Sequence, residues 1–199
     1  MILKKRNEEI KPIFLTFDDG PHPEISPFIL NALDKFNQKA TFFYLGFNLE
    51  KNLKFKYFVL EKNHLIANHG YFHLNGWTTN CNDYFLNALK FNRICKTDFF
   101  RPPYGKISLK QWWLLKKIFK IVFWNYMVLD VFTLDINKIF FDLINHTYKF
   151  SIIVFHENEK TIKTLPLYFE NYLYWLVENN FQSFTLNSFD VFNKKLFSF

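Results

Sequence analysis

The chain has 199 residues, a formal net charge of +7 and 28 phenylalanines. This length suits one α/β domain with a sizeable core, so we expect residues 1–199 to form a single domain without an accessory domain. The basic residues are scattered and accompany no recognition motif, which argues against a nucleic-acid-binding face. The two cysteines lack CxxC spacing and cannot form a disulfide framework.

The sequence shows no targeting or membrane-spanning segment. The basic residues near the N-terminus are not followed by the apolar run of roughly 7–15 residues that a secretory signal needs. Nowhere does an apolar stretch reach the ~20 residues of a membrane span. These observations favour a cytoplasmic location.

Short apolar runs alternate with segments of helical periodicity along the chain. The predicted strands are 13–17, 41–45, 64–67, 99–102, 121–124, 152–155 and 181–186. The predicted helices are 27–37, 53–62, 83–94, 109–119, 136–148, 166–177 and 189–196. This alternation predicts an α/β fold with about seven parallel strands closed into a barrel, with its chemistry at the C-terminal strand ends.

Two adjacent acids, Asp18 and Asp19, end the first predicted strand and precede Gly20 and Pro21. An ordinary turn is one interpretation, because Asp and Gly are common turn residues. Apolar strands do not normally end in paired acids, whose charges must be solvated, paired or bound. With histidine ligands downstream, one Asp could bind an ion while the other handles protons.

Two histidines, His69 and His73, stand four residues apart in the segment HGYFH. This spacing can aim both imidazoles at one point, and a carboxylate would complete a catalytic type of divalent metal site. The alternative is two unrelated polar residues in a loop.

Three further polar residues lie at or near predicted strand ends. Arg101 begins the segment RPPYG and can hold a carboxylate with its guanidinium fork. His156 emerges from the apolar run 151–155 and can act as a proton donor, with Asp130 as an orienting partner. The alternatives are that Arg101 is exposed to solvent and that His156 is a core residue whose hydrogen bonds are made within the protein.

Taken in order, these motifs resemble the polysaccharide deacetylase family (carbohydrate esterase family 4, with its NodB-homology domain). The matching segments are 16–21, 40–43, 68–73, 101–105, 124–130 and 154–156, followed by 165–166 and the strand at 181–186. The resemblance implies a distorted (β/α) barrel of about seven strands. It also implies a metal-dependent hydrolase that removes N-acetyl groups from amino sugars.

The resemblance assigns a role to each residue of the set. Asp18 would be the general base, tethered by Arg101, and His156 would be the general acid, oriented by Asp130. The backbone N–H of Tyr104 would help to bind the oxyanion. The metal ligands would be Asp19, His69 and His73, and the expected ion is Zn²⁺, with Co²⁺ or another divalent ion as alternatives.

The chain departs from the family pattern at four positions, of which the mildest is Glu157, where the family often has Asp after the acid histidine. Gly70 replaces the usual Ser or Thr, which predicts a less supported metal-binding loop. Met127 and Val131 stand where the family has Asp and Trp, and the loss of Trp predicts a reshaped acetyl pocket.

Peptidoglycan or a related cell-envelope glycan is the first expected substrate. The alternatives are a chitin-like oligosaccharide, a cytosolic sugar precursor, or glycan binding without catalysis. The expected partner is therefore an N-acetylated glycan, bound by a monomer. Related enzymes often act on the cell envelope, which conflicts with the cytoplasmic location favoured above.

Overall fold

The computed structural model describes residues 9–189. The strands are β1 (Lys11–Asp18), β2 (Ala40–Tyr44), β3 (Leu65–Asn68), β4 (Phe99–Phe100), β5 (Lys120–Ile121), β6 (Tyr126–Met127), β7 (Ile152–His156) and β8 (Phe181–Ser183). The helices are α1 (Ile25–Lys35), α2 (Gly46–Lys51), α3 (Lys54–Glu61), α4 (Cys81–Ile94), α5 (Leu109–Leu115), α6 (Ile136–Asn145) and α7 (Leu165–Glu178). Short 3-10 turns occupy Pro103–Gly105 and Leu186–Ser188.

All the strand pairings are parallel. Seven strands follow the order β5-β4-β3-β2-β1-β7-β6, and β8 pairs with the start of β1. The sheet curls into a barrel. Within the described part of the chain no ladder joins its two end strands, β5 and β6, and the barrel therefore stays open on one side. The expected distorted (β/α) barrel is thereby confirmed.

The alternation of side chains along β1 separates a packing face from a functional face. The odd-numbered side chains pack with the helices in the main core; they are Ile13, Leu15 and Phe17. Phe14 belongs to a separate cluster with Phe43 on the opposite face, inside the barrel. Thr16 and Asp18 share the parity of Phe14, and therefore they also face the barrel interior.

Several predicted elements have different bounds in the structure. Helix α2 and strand β6 were not predicted, because elements of six and two residues show too little periodicity to detect. The helix predicted at 109–119 ends at Leu115, and the strand predicted at 181–186 ends at Ser183. The helix predicted at 189–196 lies almost entirely outside the described residues.

None of the helices in residues 9–189 combines the length and apolar character needed to cross a membrane.

Candidate active site and metal centre

The polar residues singled out in the sequence gather at one edge of the sheet. Asp18 ends β1 and lies in register with His156, the last residue of β7. Asp19, His69 and Arg101 directly follow β1, β3 and β4. Since parallel strands present their C-terminal ends at the same edge, residues far apart in the sequence meet there.

A carboxylate and two imidazoles form a compact cluster of donor atoms. Ligand atoms of Asp19, His69 and His73 all lie within 4.8 Å of one another. The Oδ1 atom of Asp19 is 3.2 Å from His73 Nε2 and 3.7 Å from His69 Nε2. The Nδ1 atom of His69 lies 2.9 Å from the carbonyl oxygen of Arg101. A proton on Nδ1 satisfies that carbonyl and leaves the Nε2 lone pair available to a metal.

The electrostatics of the cluster suit a divalent cation. Burial, together with His69, lowers the pKa of His73 to about 4, so its imidazole is neutral at pH 7. Burial alone would raise the pKa of Asp19. The pKa is nevertheless lowered, because the nearby imidazoles and the hydrogen bond from Asn158 together outweigh burial; the imidazoles are those of His69, His73 and His156. Neutral imidazoles and an ionised carboxylate are the ligand forms that zinc and cobalt require. The three residues could therefore hold such an ion.

The second acid of the pair, Asp18, makes a different contact. Its Oδ1 accepts a 2.7 Å hydrogen bond from Nη1 of Arg101, which also donates to Thr16 Oγ1 over 2.8 Å. Its Oδ2 lies 3.9 Å from His69 Nε2. One oxygen of Asp18 is thus tied to arginine, and the other faces the metal cluster.

Arg101 is completely buried inside the barrel. Its guanidinium carbon lies 4.0 Å from the centre of the Phe43 ring and 5.7 Å from that of Trp124. Nη2 donates to the carbonyl of Phe123 over 3.4 Å. Aromatic faces and Asp18 thereby compensate much of the cost of burying the cation.

On the other side of the site, His156 pairs with Asp130. Its Nδ1 is 3.0 Å from Asp130 Oδ1, and its backbone N–H donates to Asp130 Oδ2 over 3.3 Å. The hydroxyl of Tyr168 donates to the same Oδ2 over 3.2 Å. The carboxylate of Asp130 is therefore fixed from three directions, and it orients the imidazole.

Burial alone would lower the pKa of His156, because a buried cation loses hydration. The hydrogen bond and charge of Asp130 outweigh that effect, with further contributions from Asp18 and Asp19, and the pKa is raised. A raised pKa keeps the imidazolium present at higher pH. The ring can consequently serve as a proton donor.

Tyr104 lies beside the metal cluster in the 3-10 turn. Its ring centre is 4.4 Å from that of His73, and the residue is 58% exposed. Its φ of 58° is left-handed, which is uncommon for a residue with a Cβ atom. The turn thus places the Tyr104 ring against His73 of the donor cluster.

Two amide side chains hold the loop between His69 and His73, and the expectation that Gly70 loosens this loop stays a prediction. The N–H of Gly70 donates to Asn68 Oδ1 over 2.7 Å, and that of Phe72 donates to Asn87 Oδ1 over 2.9 Å. Gly70 has a φ of 80°, and a Cβ there would lie 2.7 Å from Asn87 Nδ2. Amide side chains on β3 and α4 therefore hold this loop, and glycine fits its backbone conformation.

Sequence reasoning missed two asparagines that contact Asp19. Asn158 donates from Nδ2 to Asp19 Oδ2 over 2.7 Å, and Asn48 donates from Nδ2 to the backbone carbonyl of Asp19 over 2.8 Å. The one sign of this contact in the sequence is that Asn158 lies two residues after His156. Asparagine is so common in loops that this proximity alone indicates no contact.

Comparison with known proteins places this chain in a family. The profile described as polysaccharide deacetylase matches residues 5–118. A peptidoglycan-N-acetylglucosamine deacetylase of Bacillus cereus is 34% identical over 151 residues, which are 72% of this chain and 55% of that protein. A chitooligosaccharide deacetylase of Azorhizobium caulinodans is 28% identical over 153 residues, 73% of each protein.

Among solved structures, the Bc1960 peptidoglycan N-acetylglucosamine deacetylase is similar, with a TM-score of 0.83 and 30% identity. The match covers 89% of this chain and 86% of that one. The chain spans about half the length of two Bacillus cereus relatives that it matches, 55% and 49%. Because the family profile covers more than half of the sequence, this chain belongs to the polysaccharide deacetylase family.

Proposed function

We propose that this protein hydrolyses N-acetyl groups from the amino sugars of peptidoglycan or a related cell-envelope glycan, with the help of a divalent metal ion. The observation that carries the proposal is the meeting of three units at one sheet edge. They are the Asp19, His69 and His73 donor cluster, the Asp18–Arg101 pair and the His156–Asp130 pair. Amide hydrolysis needs one electrophilic centre, one base and one acid.

The metal ligands in this proposal are Asp19, His69 and His73. A divalent ion bound there, with Zn²⁺ expected and Co²⁺ as an alternative, would polarise the acetyl carbonyl and lower the pKa of a water molecule from 15.7 towards ~7. The remaining chemistry belongs to the protein's own side chains.

Asp18 acts as the general base, accepting a proton from the attacking water as the new C–O bond forms. Arg101 holds Asp18 by one oxygen, so the other is the proton acceptor. His156 donates its proton to the amide nitrogen as the C–N bond breaks, releasing acetate and a free amine. Each such proton transfer is typically worth about 10²–10⁴-fold in rate.

The backbone N–H of Tyr104 donates to the carbonyl oxygen as that oxygen becomes negative. The support is the position of Tyr104 against His73 and its left-handed backbone. One donor of this kind contributes about 2.7–4 kcal/mol to transition-state stabilisation.

The substrate class is supported by the relatives' activities rather than by a contact in this chain. Two of the similar proteins are named for peptidoglycan N-acetylglucosamine and one for chitooligosaccharide. We therefore place peptidoglycan first and a chitin-like oligosaccharide second.

The decisive experiment measures acetate release from N-acetylglucosamine oligomers and from purified peptidoglycan, with protein loaded with Zn²⁺ or Co²⁺. The proposal expects release by the parent protein and a loss of at least 10²-fold in Asp18→Asn, with metal still bound. The control variant is Glu61→Gln, an exposed position at the end of α3. Glycan binding without acetate release would favour the alternative of a non-catalytic relative.

A further inference from the structure

The side chain of Asn158 is bonded at both ends. Its Oδ1 accepts a hydrogen bond from the backbone N–H of Lys160 over 3.0 Å, and its Nδ2 donates to Asp19 Oδ2 over 2.7 Å. An amide oxygen can accept and an amide NH₂ can only donate. The N–H of Lys160 therefore fixes the orientation of the amide, and the NH₂ group faces Asp19.

The two carboxylate oxygens of Asp19 consequently have different surroundings. Oδ2 carries the hydrogen bond from Asn158, whereas Oδ1 faces His73 at 3.2 Å and His69 at 3.7 Å. Asn48 fixes the backbone carbonyl of the same residue. Thus the backbone and one oxygen of Asp19 are held by the protein, and the other oxygen is directed at the two imidazoles.

The loop that carries Asn158 has other hydrogen bonds of its own. Thr161 Oγ1 donates to the carbonyl of His156 over 2.9 Å and accepts from the N–H of Asn158 over 3.2 Å. The N–H of Thr161 donates back to the carbonyl of Asn158 over 3.0 Å. None of these bonds uses the NH₂ group of Asn158, so that group serves Asp19.

We propose that Asn158 is a positioning residue for the metal centre, holding Asp19 so that the carboxylate offers the ion a single oxygen. Because Oδ2 is hydrogen-bonded to Asn158, Asp19 has only Oδ1 free to bind the ion. A catalytic ion needs open positions for water and substrate, and a second oxygen from Asp19 would fill one of them. Groups that orient a metal ligand in this way typically change metal affinity or activity by about 10–100-fold.

The inference rests on the proposed function, because it presumes that Asp19 binds a metal. The test compares the parent protein with Asn158→Ala and with Asn158→Leu, which fills a similar volume but has no donor. The matched control is Asn179→Ala, which removes another amide hydrogen bond, from Nδ2 to the Trp175 carbonyl over 2.8 Å, at the end of α7. Circular dichroism shows which variants are folded.

Two measurements are made on the metal itself. Competition with a chelator gives the Kd for Zn²⁺, and the visible absorption of bound Co²⁺ reports how many ligands surround the ion. We expect both Asn158 variants to bind Zn²⁺ about 10–100-fold more weakly. We also expect their Co²⁺ absorption to weaken, since Co²⁺ with more ligands absorbs less. Asn179→Ala should match the parent in both measurements.

Each other outcome has a definite meaning. If a folded Asn158 variant matches the parent in Zn²⁺ affinity and Co²⁺ absorption, the positioning role is wrong and the proposed function is unaffected. The role is also wrong if Asn179→Ala weakens binding equally. If the parent itself binds no divalent ion, the metal centre of the proposed function fails, and this inference fails with it.

Discussion

Arg101 donates a 2.7 Å hydrogen bond to Asp18, and it does so from a side chain with no solvent exposure. The pair joins the ends of β1 and β4 across the interior of the barrel. An unpaired charge at this depth is costly, so each partner offsets part of the cost of burying the other. The contact therefore bears on stability as well as on the site.

Replacing Arg101 by Met should destabilise the protein by about 3–5 kcal/mol, because the carboxylate of Asp18 is left buried without its partner. Urea unfolding followed by circular dichroism measures this loss. The double variant Arg101→Met/Asp18→Asn removes both charges and should recover part of the stability. If the loss in the double variant equals the sum of the losses in Arg101→Met and Asp18→Asn alone, the pair is not coupled.

The Asp130→Asn variant should shift the pH dependence of acetate release. Asp130 raises the pKa of His156, so the asparagine variant should have a His156 of lower pKa. The imidazolium form of His156 is then lost at a lower pH, and the basic limb of the kcat/KM profile moves to lower pH. Measuring kcat/KM across pH 5–9 checks this shift. A profile identical to that of the parent would contradict the pairing.

Metal binding should raise the thermal stability of the protein. An ion that binds only the folded state at 100 times its Kd adds about 2.7 kcal/mol. Chelator treatment should therefore lower Tm and abolish acetate release, and added Zn²⁺ should restore both. The His73→Ala variant lacks one of the three ligands, so Zn²⁺ should raise its Tm much less. An equal Zn²⁺-induced rise in parent and variant would exclude His73 as a ligand.

His64 should make stability fall at mildly acidic pH. Burial lowers its pKa from 6.5 to about 4, so between these values the unfolded chain binds the proton more readily than the folded one. Stability is therefore lost as pH falls from 6.5 to 4, by about 3 kcal/mol at 1.36 kcal/mol per pKa unit.

The variant that tests this behaviour is His64→Gln, which can still accept the hydrogen bond that Ala40 N–H gives to His64 Nδ1. Glutamine does not titrate, so the variant should lose less stability than the parent between pH 7 and pH 4. His73 also has a pKa of about 4 and contributes equally to both proteins, so the difference isolates His64. Parallel stability curves for the two proteins would show that His64 does not cause the loss.

The fold could be predicted where the sequence pattern is long. Strands β1 and β7 are apolar runs in the sequence because both faces of each strand are buried in the protein, as expected for inner strands of a parallel sheet. Strand β6 has only two residues, and its existence depends on hydrogen bonding to Ile153 and Val154 of β7. No local pattern in so short a segment distinguishes a strand from an extended loop.

The support of the metal-site loop was also beyond local reasoning. Gly70 alone indicates a missing hydroxyl and hence a looser loop. In the structure, hydrogen bonds to this loop come from Asn68 and Asn87, and Asn87 lies on α4, seventeen residues after Gly70. Support of this kind depends on packing between elements.

The residue types of the site and their places at strand ends can be inferred from the amino-acid sequence alone. Paired acids after β1, two histidines four residues apart after β3, and a histidine closing β7 specify the chemistry, because carboxylates and imidazoles bind metals and move protons at neutral pH. Which atoms meet depends on the folded chain: one oxygen of Asp19 faces the histidines, and the other accepts a hydrogen bond from Asn158. The two oxygens of Asp19 have different partners because contacts across a barrel depend on strand order and register, which bring distant segments together.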